Sequence, residues 1–164
     1  MPGFKTMELK NVITYQNIIL FLMAFAAYFE ADTATTCAAV FLYGSGAESN
    51  PTVLAAFGSG GLAGFLLLKL ALSLLIILPS FYLLIESSTR TMGMSALLAI
   101  TIGGLVVSTN NLSAILTGIS PLYILLGGCS FLQSGTVIGI IILVSGLVIY
   151  YLLNHRSNIS SRHI

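Results

Sequence analysis

Polar residues in this chain are gathered between long apolar runs. The runs cover about 17–43, 51–86, 94–116 and 134–153. Stretches such as 62–78, apolar but for Lys69 and Ser73, do not alternate with period two, so they read as helices and not as barrel strands. A crossing needs about 20 apolar residues at 1.5 Å each. The 51–86 run is too long for one straight crossing. The cluster Gly58-Ser59-Gly60-Gly61 predicts a break, giving a short piece over 51–57 and a spanning helix over 62–85, with Pro79 as a candidate kink. Pro121 to Leu132 is apolar but only 12 residues long, which suits a re-entrant or interfacial piece.

The expected fold is therefore all-α. It is a polytopic membrane protein forming one bundle over 1–164, with four transmembrane helices at about 17–43, 62–85, 94–116 and 134–153 plus short broken or re-entrant segments. Asn50 before Pro51 reads as a helix cap with proline at the first helical position.

Composition agrees. Only 7% of the 164 residues are charged and 57% are hydrophobic, whereas soluble domains carry about 25% charged residues. Mean hydropathy is +1.02. A net charge of +1 and the lack of a basic patch give no reason to expect nucleic acid as a partner. The basic residues do fix an expected orientation. With four crossings, Lys5, Lys10, Arg90, Arg156 and Arg162 fall on one side, leaving only Lys69 within a span. By the positive-inside rule both ends lie in the cytoplasm, with the cell membrane as the expected location.

Three charges stand inside the apolar runs: Glu30, Asp32 and Lys69. Ionisable side chains at bilayer depth are costly unless paired or hydrated, so a partner is expected for each. Counted from the loop joining the first two helices, Asp32 lies about 15 Å down and Lys69 about 12 Å, within reach of a snorkelling lysine. Asp32, Thr35 and Thr36 share a helical face, with Tyr28 one turn earlier, while Glu30 lies about 200° from Asp32. Two carboxylates against one ammonium leave one negative charge. A proton, a hard cation held by Asp32, Thr35 and Thr36, or water would balance it. The same residues equally form a clamp that fixes helix register, with Glu30 protonated. Glu48 and Asn50 sit at the outer mouth, either as part of a polar vestibule or as an acidic turn and a cap. Asn110 and Asn111 end the third helix on that side and could complete the vestibule or act as interhelical glue.

No catalytic motif, metal-ligand pair or cofactor signature appears. Cys37 and Cys129 stand far apart, and His155 and His163 lie in the polar tail. Gly60-x-x-x-Gly64 and Gly135-x-x-x-Gly139 permit close helix approach.

The run Asp32…Thr36…Gly46-x-Glu48-x-Asn50-Pro51…Lys69, with Asn110 or Asn111 near the end of a third helix, resembles a family of small prokaryotic membrane proteins of unknown function. The resemblance spans about 29–111. It implies no activity, and it implies that Asp32, Glu48, Asn50 and Lys69 belong to one site. The expected role is an accessory or structural subunit of a membrane complex, with lipid and other membrane subunits or further copies of the chain as partners. The alternative is a small proton, cation or solute transport component using Asp32 and Lys69. Of the classes weighed, an intramembrane enzyme acting on lipid has least support, since only the carboxylates point to it.

Overall fold

The computed structural model describes residues 14–45, 48, 50–125 and 142–152. Residues 1–13, most of the 121–132 segment, the start of the fourth run, Cys129, Gly135-x-x-x-Gly139 and the polar tail lie outside the described residues.

The first span is a single continuous helix, Tyr15–Tyr43, built in three parts: α1 (Tyr15–Phe25), a π-helical segment (Ala26–Ala31) and α2 (Asp32–Tyr43). Thr14 caps its start, its side chain accepting from the Asn17 amide at 3.3 Å. The π segment solves a phasing problem. Asn17 and Thr36, both buried, are nineteen residues apart. At 3.6 residues per turn that interval is five turns plus about 100°, so an ideal helix would carry Thr36 off the buried face. A π-bulge takes up about one residue of excess, which lets Asn17, Ala24, Ala27, Asp32 and Thr36 all face the bundle.

α3 (Pro51–Ile85) is capped by Asn50, whose Oδ1 accepts from the amides of Thr52 at 2.9 Å and Val53 at 3.4 Å. The break expected over four residues is concentrated in one. Gly61 has φ 57° and ψ −148°, a backbone state that favours glycine, and helix continues on both sides of it. Phe57 and Phe65 stack across the kink with centroids 4.5 Å apart.

α4 (Arg90–Thr117) is the central helix, packed against α1, the π segment, α2 and α3. Its buried Thr101 and Ser108 hydroxyls donate to the carbonyls of Leu97 and Gly104 at 2.8 and 2.7 Å, which satisfies them without an interhelical partner. α5 (Pro121–Leu125) and α6 (Ile142–Leu152) complete the described helices. α6 packs on α4, the Ile142 side chain filling the space beside Gly103.

The structure is all-helical over the described residues. Three helices, Tyr15–Tyr43, Pro51–Ile85 and Arg90–Thr117, are long and apolar enough to cross a membrane. This is the architecture of a multi-pass membrane protein in a lipid bilayer. Of the expected fourth span, only α6 is described, and its 11 residues are too short to cross alone.

The bundle divides by depth. The half near the 86–89 turn has an apolar core of Ala24, Ile77, Leu84, Leu97 and Ile100, flanked by Phe21 and Phe81 in edge contact at 5.1 Å. The half near the 44–50 loop holds the buried charge pair of Asp32 and Lys69, while buried Asn17, Ser80 and Ser95 lie in the half near the 86–89 turn.

Gly104 sets how closely α4 approaches the first span. A methyl there would lie 2.6–2.7 Å from the backbone of Ala27 and Tyr28. Gly104→Ala is therefore expected to destabilise the bundle by about 1–3 kcal/mol through overpacking. Gly58→Ala, which meets nothing within 4 Å, should leave the melting temperature unchanged or raised. Thermal unfolding in mild detergent followed by circular dichroism checks both.

Candidate functional site

Asp32 is the first residue of α2, placed by the π turn that precedes it. It faces α3, where Lys69 stands eight residues beyond the Gly61 kink, and α4, where Asn111 lies two turns beyond Gly104. The first span and α4 run parallel. The contact of Gly104 with Ala27 and Tyr28 therefore brings Asn111 level with Asp32 and Thr35.

Both Asp32 carboxylate oxygens are used. Lys69 Nζ donates to Oδ2 in a direct ion pair. Asn111 Nδ2 donates to Oδ1 at 3.2 Å and lies 3.4 Å from Thr35 Oγ1. Thr35 Oγ1 also lies 3.0 Å from the Ala31 carbonyl and 3.1 Å from that of Asp32, so its single proton goes to its own helix and its lone pairs face Asn111. Tyr28 lies under the ammonium, with the ring centroid 5.7 Å from Nζ, a distance at which the ring quadrupole adds to the cation's stability. The two charged side chains retain 14% and 11% of their exposure. Three spans thus meet in one charge-neutral constellation of Asp32, Lys69, Asn111 and Thr35.

The other expected members of the site lie elsewhere. Glu30 is exposed on the opposite side of the π segment and makes no hydrogen bond or ion pair among the described residues. The surplus negative charge inferred by placing Glu30 in the cluster therefore does not exist there. Thr36 is buried one turn above Asp32. Glu48 and Asn50 form the start of α3, Glu48 Oε1 accepting from the Asn50 amide at 2.6 Å. Asn110 points the other way from Asn111. Its Oδ1 accepts from Ser120 Oγ and the Leu122 amide, both at 2.9 Å, and so ties α4 to α5. Tyr43 Oη donates to the Ile115 carbonyl at 2.7 Å and joins the same end of the first span to α4.

Two buried hydroxyls escaped the sequence reading. Ser73 is fully buried and Thr33 nearly so, and neither hydroxyl has a hydrogen-bond partner among the described residues. Ser73 stands one turn from Lys69, and that i, i+4 spacing was the available signal. Among the described residues no three of His, Cys, Asp and Glu come together.

Breaking a buried pair strands the remaining charge at a cost of about 3–5 kcal/mol. Asp32→Asn and Lys69→Met are each expected to lower the melting temperature strongly. Asn111→Leu removes only a neutral donor and should cost about 1–2 kcal/mol. Scanning calorimetry of the three purified variants gives the ranking, and an Asn111→Leu loss equal to that of Asp32→Asn would refute it.

Comparison with known proteins places this constellation within a recognised domain. A domain of unknown function, DUF5658, matches residues 23–117. No curated protein and no solved structure matches the chain. The matched stretch contains Asp32, Lys69, Gly104 and Asn111, and the chain belongs to the DUF5658 family, an uncharacterised one.

Proposed function

We propose that the chain is an accessory, structural subunit of a membrane complex in the cell membrane, and that Asp32, Lys69 and Asn111 are its register clamp. One observation carries this reading. The ion pair is direct, neutral and closed by Asn111, so it needs no proton or cation to balance it. A clamp of this kind fixes the rotation and depth of three helices against one another, which van der Waals packing between apolar helices specifies less sharply. The bundle is small, and its surface is a band of lipid- or partner-facing residues such as Leu67, Leu75, Leu105 and Phe41.

The reading includes a fourth crossing through α6, with both ends in the cytoplasm. Its support is the common side of Lys5, Lys10, Arg90, Arg156 and Arg162 and the close packing of Ile142 on Gly103.

A second reading, a proton, cation or solute transport component, draws on the unpartnered hydroxyls of Thr33 and Ser73. Buried polar groups without protein partners are places where ordered water enters.

The two readings separate in one preparation. The accessory reading expects a tagged chain, extracted from its native membrane in gentle detergent, to bring down a stoichiometric membrane partner. It expects the reconstituted protein to show no flux of protons, sodium or potassium, and a melting temperature equal in sodium and potassium. Flux abolished by Asp32→Asn, or stabilisation by one cation, would replace it with the transport reading.

A further inference from the structure

Glu30 is exposed at the middle of the first span. It lies fifteen residues from Tyr15 and thirteen from Tyr43, about 20 Å from either end of the helix. A carboxylate at that depth ordinarily faces the bundle interior, a water-filled cavity or an opposite charge. Here the surrounding face is apolar and small. Ala26 and Ala34, one turn to either side, are both exposed, and Leu22 continues the face at 55% exposure. Alanines flanking the acid let a second helix approach closely. Glu30 also belongs to the π segment, a distortion that recurs at functional positions.

Among the described residues no cation meets this carboxylate. The chain has six basic residues in all. Lys69 is committed to Asp32. Arg90 begins α4 at the far end of the bundle, and Lys5, Lys10, Arg156 and Arg162 belong to the sequence flanking the spans. A second copy of the chain would bring the same distribution and set carboxylate against carboxylate.

From these observations, and resting on the accessory-subunit reading, we infer that Glu30 is the docking point for a transmembrane helix of a different protein, one that carries a lysine or arginine within its span. The partner's cation meets Glu30 across the Ala26–Ala34 face. The bilayer's low dielectric makes that contact selective, because a helix without the cation leaves Glu30 uncompensated.

The test uses the full chain reconstituted in phosphatidylcholine vesicles with a synthetic leucine–alanine helix of about 20 residues, bearing either one central lysine or leucine there. Association is read by energy transfer between labels. The lysine helix is expected to bind at least about tenfold more tightly than the leucine helix, a preference kept in Glu30→Asp and lost in Glu30→Leu. Glu30→Leu should melt no lower than the parent, since the side chain holds nothing together in the bundle. The inference is overturned if the two helices bind equally, or if the lysine preference survives in Glu30→Leu. It is also overturned if Ala26→Cys and Ala34→Cys chains, each with Cys37 and Cys129 replaced by serine, cross-link to themselves, which would make a second copy the occupant. Failure of the accessory reading shows separately, as a tagged chain that brings down no membrane partner.

Discussion

A carboxylate and an ammonium are each expensive at bilayer depth, and in this bundle each is tolerable because it meets the other. Asp32 and Lys69 lie on different spans, so their contact fixes two helices in depth and rotation at once. Asn111 brings in the third by donating to the oxygen that Lys69 leaves unfilled. The remaining features serve this meeting. The π segment turns Asp32 inward without turning Asn17 and Ala24 outward. The Gly61 kink sets where Lys69 enters, and Gly104 allows α4 to close on the π segment so that Asn111 arrives level with its acceptor. The cost of a stranded charge makes alternative registers unfavourable, so the pair contributes more to the choice of one arrangement than to its absolute stability.

Much of this was legible in the residues, because the bilayer leaves few options. Continuous apolar runs must be helices there, and a lone lysine and an aspartate at similar depths on neighbouring spans must account for each other. Asn111 was visible only as one of two adjacent asparagines. That it faces Asp32 while Asn110 holds α5 depends on the rotation of α4, and rotation is decided by the contact of Gly104 with the π-segment backbone. The π segment had no compositional mark, since an extra residue in a helical turn changes hydrogen bonding and not residue type. The kink was confined by sequence to a glycine-rich stretch, but only the backbone could single out Gly61 among Gly58, Gly60 and Gly61.

Glu30 stands on the outer face of the first span, away from the Asp32 pair. Its angular distance from Asp32 already set it on the opposite face, yet counting it within the cluster produced a surplus charge and with it a reason to expect a cation. With Glu30 on the outer face, the interior charges balance as the Asp32–Lys69 pair. Two carboxylates then stand at similar depth in the first span, Asp32 facing the bundle and Glu30 facing outward.

The central claim is that Asp32 and Lys69 act as one unit that fixes the bundle. Its most direct test is the melting temperature of the double replacement Asp32→Leu/Lys69→Met beside the two single replacements. The account predicts that the double variant is more stable than either single variant, because both charges leave together and neither is stranded. If the losses of the single variants simply add, the two residues are not coupled and the clamp is contradicted.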